Sequence, residues 1–177
     1  TMNVIICNEQ GENIEVCEKV KAHKEGLLHK AFSEYIFRNS GTELLVQRRS
    51  DEKMLWGGFW ANTCCSHEVE SEDVIVTAKR RLNEEMGFTC SNLKLAGNFV
   101  YFAEDSSGKG AEHEYLSILV GEVDEVEISA DPAEVSEWKW VKVEELLTDM
   151  ENNSQEYAPW FVEGINSAST RTSSRRT

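Results

Sequence analysis

The chain has 177 residues, of which 40% are apolar and 28% charged, a composition typical of one globular domain. Two prolines and 11 glycines exclude a collagen-like or low-complexity chain. The 32 acidic and 18 basic residues give a net charge of −14. That charge repels nucleic acid and anionic membranes, so we expect neither as a partner.

The cysteines and the first residues indicate a reducing environment. Five cysteines are an odd number, and residues 1–19 lack the basic start and apolar core of a secretion signal. We therefore expect free thiols and a cytoplasmic protein. No apolar run approaches the roughly 18 residues that cross a bilayer. We expect a monomer or a weak homo-oligomer.

The first half of the chain reads mainly as strands. A turn separates two short segments that are apolar or alternate between apolar and polar side chains, residues 3–7 and residues 14–19. Apolar and polar side chains also alternate on both sides of the turn 39–41, within residues 27–49. These segments predict two short strands followed by a β-hairpin. Residues 50–67 predict an irregular loop with short extended pieces.

The second half predicts a central helix, three strands and terminal helices. The helix is expected over 71–87, with Ser71 as N-cap and Gly87 as C-cap. Two strands within 93–123, a solvated acidic stretch over 122–137 and a strand over 137–142 follow. Helices are expected from 143 and from 158, with Pro159 in the first turn of the last one. The fold class is α+β, an α/β/α sandwich with a mixed β-sheet. We expect one domain over 1–166 and a disordered tail over 167–177.

Histidines and paired carboxylates form a candidate metal site. His23 and His29 flank a short loop, His67 ends the segment CCSH, and Glu112 and Glu114 lie two apart in a predicted strand. Residues two apart point to the same face of a strand, so both carboxylates can reach one centre. Imidazole and carboxylate ligands suit Zn²⁺, Mn²⁺ or Fe²⁺. The alternative is that these are surface polar residues that never meet.

The central helix carries a second acidic group. At about 100° per residue, Glu72 does not share a face closely with Glu84 or Glu85. An amphipathic helix with solvated charges is the ordinary interpretation.

Residues 66–88, SHEVESEDVIVTAKRRLNEEMGF, resemble the Nudix box, G-x5-E-x7-R-E-U-x-E-E-x-G-U with U aliphatic. Ser66 replaces the first glycine, and Arg81 replaces the glutamate of the Arg-Glu pair. In Nudix hydrolases the helix glutamates hold divalent cations that bind a diphosphate. The Arg81 departure argues against ordinary hydrolysis but leaves Glu85 as a magnesium ligand.

Flanking segments resemble one branch of that superfamily, the type 1 isopentenyl-diphosphate isomerases. The segments are AHKEGLLHKAFSEYIF (22–37), LLVQRRSDEKMLWGGFWANTCCSHE (44–68), AEHEY (111–115) and YAPW (157–160). The resemblance runs from about Lys19 to Trp160. It implies a Nudix-like fold and an isomerase of isoprenoid precursor biosynthesis. The reaction interconverts isopentenyl and dimethylallyl diphosphate through a tertiary carbocation, by addition and removal of protons and without an organic cofactor.

The resemblance also implies roles for individual residues at the reacting end. One Zn²⁺ or Mn²⁺ is expected on His23, His29, His67, Glu112 and Glu114. Glu114 and Cys65 are the expected proton-transfer groups on opposite sides of the substrate, and Tyr101 orients Glu114. Cys65 is selected over Cys64 because the family's cysteine lies two residues before the histidine. A thiol in this role needs nearby cations that ease its ionisation.

At the diphosphate end, the resemblance implies Mg²⁺ on Glu85 and contacts from Lys19, Arg49, Lys53 and Arg81. Arginine suits phosphate because its guanidinium donates a fork of hydrogen bonds. Trp160 either presents a π face to the carbocation or is a core aromatic residue. Two other functions stay open: a Nudix hydrolase of a nucleoside or other diphosphate, and a non-catalytic metal- or ligand-binding module.

Overall fold

The computed structural model describes residues 2–174, with side chains described through residue 169. In chain order the elements are β1 (Asn3–Cys7), β2 (Asn13–Glu18), α1 (Lys19–Glu25), β3 (His29–Arg38), β4 (Glu43–Arg49), β5 (Trp60–Ala61), β6 (Cys64–His67), α2 (Val74–Met86), β7 (Lys94–Glu104), β8 (Ala111–Glu122), β9 (Val135–Lys142), α3 (Val143–Asn152) and α4 (Pro159–Ser174). A single 3-10 turn at Ser154–Glu156 joins the last two helices. No helix in this part of the chain combines the length and apolar character needed to cross a bilayer.

Strand β3 is the centre of the sheet. Within the described residues, nine strands form one mixed sheet. Strands β1, β6 and β4 follow one another antiparallel along one edge of β3. Strand β8 runs parallel along the other edge, with His29 opposite Glu114 at one end of the ladder. The sheet extends through β7 next to β8, through β5 and β9 next to β4, and through β2 next to β1.

Helices cover both faces of this sheet. Because side chains alternate along a strand, β3 directs Phe32 and Ile36 to one face and Tyr35 and Phe37 to the other. The first face packs with Ala78, Leu82 and Met86 of α2, and the second with Phe161, Ile165 and Ala168 of α4. Both faces of β3 are therefore buried, as in other sheets that are covered on two sides. This confirms the predicted α/β/α sandwich with a mixed sheet.

Helix α2 is shorter at its start than the sequence predicted. Asp73, and not Ser71, is the N-cap: its Oδ1 accepts a hydrogen bond from the Ile75 N–H at 2.9 Å. Ser71 lies before the helix with a φ of 65°. The helix ends as predicted at Gly87, whose φ is 77°. A Cβ at this position would lie 2.6 Å from the Ser129 carbonyl oxygen, so both the backbone angle and the close approach require glycine.

Two terminal regions differ from the sequence interpretation. Helix α1 was not predicted, since seven residues between two apolar strands give little helical periodicity. Helix α4 continues through Ser174, whereas a disordered tail was expected from residue 167. Ile165 and Ala168 are buried against the sheet, and this contact stabilises the helix where the polar composition alone indicated disorder. Residues 175–177 of the expected tail lie outside the described residues, and the single-domain assignment stays a prediction.

Candidate functional site

A cavity of about 210 Å³ opens beside β3, β6 and β8. Most of the residues singled out from the sequence line it: Lys19, His23, Arg49, Lys53, Cys65, His67, Arg81, Glu85, Glu112, Glu114 and Trp160. His29 and Tyr101 lie directly behind the wall, where both contact Glu114. The sequence therefore identified side chains that the fold brings together from eight separate elements and the loop after β4.

The three histidines meet beside this cavity, His23 and His67 in its lining and His29 behind them. Ligand atoms of His23, His29, His67 and Glu112 all lie within 4.8 Å of one another. The ring centroids of the three imidazoles are 5.1 to 5.6 Å apart. The β3 ladders explain the convergence, since His67 lies opposite Ala31 and Glu114 lies opposite His29. The alternative of separate surface histidines is wrong.

The donor set of this cluster fits a divalent metal. The Nε2 atom of His29 and the Oε2 atom of Glu112 are buried and have no hydrogen-bond partner among the described residues. The other ring nitrogen of His29 lies 2.8 Å from the Leu27 carbonyl oxygen, which fixes the ring with Nε2 directed inward. Burial lowers the pKa of His23 to about 4 and the pKa of His67 to about 3. Both imidazoles are thus neutral near pH 7, the form that binds metals.

The two carboxyl groups of the cluster differ in proton affinity. Burial and the neighbouring Glu114 charge raise the pKa of Glu112 well above its usual value. Burial also opposes ionisation of Glu114, but contacts to His29 and His67 outweigh it and hold the pKa of Glu114 well below its usual value. Two adjacent carboxyls with opposite shifts are a common arrangement at sites of proton transfer.

Cys65 and Glu114 open onto the same cavity. The Cys65 thiol donates a hydrogen bond to Asn62 Oδ1 at 3.2 Å and lies 3.4 Å from the Ser33 hydroxyl. Burial raises the pKa of Cys65 to about 12, and the nearby Arg49 opposes this only in part. The thiol is therefore protonated near neutral pH, and Arg49 is a nearby cation of the kind that a thiol in this role needs.

The adjacent cysteine, Cys64, faces the opposite side of β6. It is fully buried under α2, and its thiol donates to Glu85 Oε2 at 2.9 Å. Alternation along the strand thus separates the two cysteines, and Cys65 is the one that lines the cavity.

Tyr101 contacts Glu114 across the β7–β8 ladder. The two residues lie directly opposite each other, and the phenol hydroxyl donates a hydrogen bond to Glu114 Oε1. Burial and the Glu114 charge raise the pKa of Tyr101 well above its usual value, so the hydroxyl stays a donor. This contact is the one that the sequence predicted for Tyr101.

The cavity lining is also rich in cations. Arg49 donates through Nη2 to the Leu55 carbonyl at 2.8 Å and through Nε to the Trp56 carbonyl at 3.2 Å. Burial lowers the pKa of Lys19, and the nearby Lys53 ammonium lowers it further. Such a cluster of cations creates a local field that favours an anionic ligand despite the net charge of the chain.

Glu134 is a lining residue that the sequence analysis missed. Its Oε2 lies 2.5 Å from Lys53 Nζ. Although burial opposes it, the Lys53 ammonium holds the pKa of Glu134 below its usual value. The prediction that 122–137 is merely a solvated acidic stretch is thus wrong at this position. No spacing signal distinguishes Glu134 from its acidic neighbours, because its place depends on the packing of β9 against β4.

The glutamates of α2 divide between the outer face and the cavity. Glu85 is 3% exposed and lines the cavity, where Arg81 Nη2 donates to its Oε1 at 2.8 Å. Glu72 and Glu84 both contact Arg80 on the outer face. The ordinary interpretation of solvated charges holds for those two but is wrong for Glu85.

Trp160 belongs to both the core and the cavity wall. It is 4% exposed and packs edge-on against Trp56, with ring centroids 5.5 Å apart. The guanidinium carbon of Arg49 lies 5.0 Å from the centroid of the Trp160 ring. The two interpretations of this residue are therefore compatible, and a cation already occupies one position near its π system.

The fold and the site define the class of protein. The NUDIX domain family matches residues 27–161. A crystal structure of a Deinococcus radiodurans protein aligns with a TM-score of 0.74 at 14% identity, covering 93% of this chain and 98% of that one. The MutT protein from Methanosarcina mazei Go1 aligns with a TM-score of 0.63 at 18% identity, covering 85% and 96%. At these identities the likeness concerns the fold alone.

Sequence relatives define the family more narrowly. The isopentenyl-diphosphate Delta-isomerase of Halorhodospira halophila is 38% identical over 160 residues, 90% of each chain. The protein of the same name from Burkholderia multivorans is 40% identical over 158 residues, 89% of this chain and 88% of that one. This chain belongs to the isopentenyl-diphosphate Delta-isomerase family of NUDIX-domain proteins.

Proposed function

We propose that this chain is an isomerase that interconverts isopentenyl diphosphate and dimethylallyl diphosphate in isoprenoid precursor biosynthesis. The observation that carries the proposal is that the Cys65 thiol and the Glu114 carboxyl line one cavity, which Lys19, Arg49, Lys53 and Arg81 also line. The family relationship supports the same reaction, since relatives with matching length bear that name.

The reaction needs two groups that exchange protons with carbon. One group adds a proton to the terminal alkene carbon and leaves a tertiary cation, and the other removes a proton from the chain methylene next to the cationic carbon, so the proton count is unchanged. We assign these roles to Cys65 and Glu114. Tyr101 orients Glu114 through its hydrogen bond, and Asn62 and Ser33 orient the thiol.

The cavity wall suits a short alkenyl chain. Phe32, Met54, Leu55 and Trp160 supply apolar lining beside the proton-transfer groups. Their burial keeps water from a reactive carbocation. A cation over an indole gains about 0.5–2 kcal/mol, so Trp160 assists without being the main stabilising group.

Two metal sites complete the proposal. His23, His29, His67, Glu112 and Glu114 would hold one Zn²⁺ or Mn²⁺, and Glu85 would hold Mg²⁺. A bound divalent cation alters the proton affinity of a carboxyl beside it and neutralises phosphate charge. Adding Zn²⁺ or Mn²⁺ in turn to the isomerisation assay identifies the ion that the histidine site uses.

The diphosphate is assigned to Lys19, Arg49, Lys53 and Arg81. In the isolated protein Lys53 pairs with Glu134, and Arg81 pairs with Glu84 and Glu85. Substrate binding therefore exchanges protein carboxylates for phosphate oxygens. A cytoplasmic location and a monomer or weak homo-oligomer belong to the same proposal. The five cysteines, all within the described residues, are unpaired, which supports a reducing compartment.

The test is incubation with isopentenyl diphosphate and Mg²⁺, with Zn²⁺ or Mn²⁺ added in turn, followed by NMR detection of the dimethylallyl isomer. Cys65→Ala and Glu114→Gln are expected to abolish turnover while circular dichroism shows an intact fold. Cys17→Ala, at a half-buried cysteine on β2, is the matched control. Wild-type activity in either site variant would reject the assigned roles. Released phosphate would favour a hydrolase, and metal binding without any turnover would favour a binding module.

A further inference from the structure

A second buried thiol contacts the proposed magnesium ligand. Cys64 Sγ donates to Glu85 Oε2 at 2.9 Å, and Arg81 Nη2 donates to Glu85 Oε1 at 2.8 Å. Each carboxylate oxygen of Glu85 thus has one donor. Cys64 is 0% exposed, and it lies between the sheet and α2.

The two donors differ in their freedom to move. Arg81 also contacts Glu84 and lines the cavity, where the proposed function assigns it to the diphosphate. Cys64 is fixed by the β3–β6 ladder opposite Glu34 and packs in the same apolar cluster as Leu82 of α2. When Arg81 turns toward phosphate oxygens, the thiol is the contact that remains on Glu85.

We propose that Cys64 is a positioning residue whose thiol holds the Glu85 carboxylate in place for the magnesium–diphosphate complex. This inference rests on the proposed function only for the identity of the ligand, since the contact itself is a property of the chain. Loss of the donor leaves a buried carboxylate oxygen without a partner and frees the side chain to rotate. Partners of this kind typically change metal affinity by about 10- to 100-fold when removed.

The test measures magnesium binding without turnover. The melting temperature of the whole protein is followed at increasing Mg²⁺ with inorganic diphosphate as the probe ligand. Cys64→Ala and Cys64→Val remove the donor, Cys64→Ser keeps one, and Cys90→Ala is the matched control. Cys90 is 2% exposed in the same cluster, but its thiol contacts Asn92 and the Glu122 carbonyl oxygen.

We expect the Mg²⁺ midpoint to rise about tenfold in Cys64→Ala and Cys64→Val. Cys64→Ser and Cys90→Ala should stay within about threefold of the wild type. In the isomer assay, the Mg²⁺ needed for half-maximal rate should shift in the same variants, with kcat at saturating Mg²⁺ retained. If Cys64→Ala does not fold, the comparison of valine with serine decides.

A wild-type midpoint in the folded donor-free variants would overturn the inference, as would a serine variant as impaired as the valine one. These outcomes differ from failure of the proposed function. A wild-type protein that does not isomerise its substrate but shows the Cys64-dependent shift would reject only the function. A protein that isomerises without that shift would reject only the role of Cys64.

Discussion

Tyr101 and Glu114 lie directly opposite each other on strands β7 and β8, and the tyrosine hydroxyl donates a hydrogen bond to Glu114 Oε1. Strand pairing therefore sets the position of the phenol, and burial raises the pKa of Tyr101 well above its usual value, which keeps the hydroxyl a donor. In the proposed mechanism, Glu114 therefore depends on Tyr101 for its orientation and not for the proton itself.

Tyr101→Phe removes that hydroxyl and keeps the ring. We expect kcat for isomerisation to fall about 10- to 100-fold with little change in KM, because the carboxyl loses its orienting donor. Steady-state kinetics with isopentenyl diphosphate measure both constants. Tyr115→Phe, on the same strand as Glu114, is the control and should behave as the wild type. An unchanged kcat in Tyr101→Phe would show that the contact has no part in the reaction.

Arg49 is hydrogen-bonded to the backbone of the loop after β4. Its guanidinium donates to the carbonyl oxygens of Leu55 and Trp56, and Leu55 and Lys53 line the cavity. Lysine cannot reproduce the guanidinium fork, so Arg49→Lys should raise the KM for isopentenyl diphosphate about tenfold, or about 1.4 kcal/mol. The control is Arg38→Lys, since Arg38 pairs with Glu43 away from the cavity. Equal KM values in the two variants would contradict the role of Arg49.

Glu34 predicts a pH-dependent change in stability. Both of its carboxyl oxygens are buried and have no hydrogen-bond partner among the described residues, and burial raises its pKa well above 4.5. Between the pKa of Glu34 in the unfolded chain and its higher pKa in the folded protein, the folded state binds the proton and the unfolded state does not. The free energy of unfolding therefore falls as the pH rises above the unfolded pKa. Glutamine does not titrate, and Glu34→Gln should therefore gain stability over the wild type as pH increases.

Urea denaturation of wild type and Glu34→Gln near pH 5 and near pH 8 measures this difference. The free energy of unfolding of Glu34→Gln minus that of the wild type should be more positive near pH 8 than near pH 5. A gap of the same size at both values would mean that Glu34 ionises freely in the folded protein.

The histidine cluster predicts stabilisation by metal. Because His23 and His67 are held neutral, Zn²⁺ at about 100 times its dissociation constant should add about 2.7 kcal/mol to the free energy of unfolding. Thermal melts with and without a chelator measure the effect. His67→Gln should lose most of it, whereas His113→Gln, whose ring contacts the Gly26 carbonyl, should keep it. A full response in His67→Gln would place the ion elsewhere.

A local signal predicted the end of the central helix, and the family resemblance predicted much of the site. Gly87 ends α2 because of its own backbone freedom, and the family pattern, with its cysteine two residues before the histidine, selected the cysteine that lines the cavity. Ser71 and Asp73 are both good caps, however, and only the path of the preceding loop decides between them.

Long-range packing determined what the sequence could not predict. Glu134 reaches the cavity through the β4–β9 ladder, and the burial of Glu34 follows from the covering of both faces of β3. Neither pairing is encoded within a short window. The raised pKa of Cys65 is likewise a result of burial by residues from several elements.

The central position of β3 has a consequence for tolerance to insertion and deletion. Cys65 is held opposite Ser33 on one edge of this strand, and Glu114 is held opposite His29 on the other. Main-chain ladders therefore set the geometry of the pair, and the turn at 105–110 between β7 and β8 lies beyond both ladder contacts. The length of that turn does not set the register of either ladder, whereas a one-residue slip in either ladder would turn one of the two side chains to the wrong face.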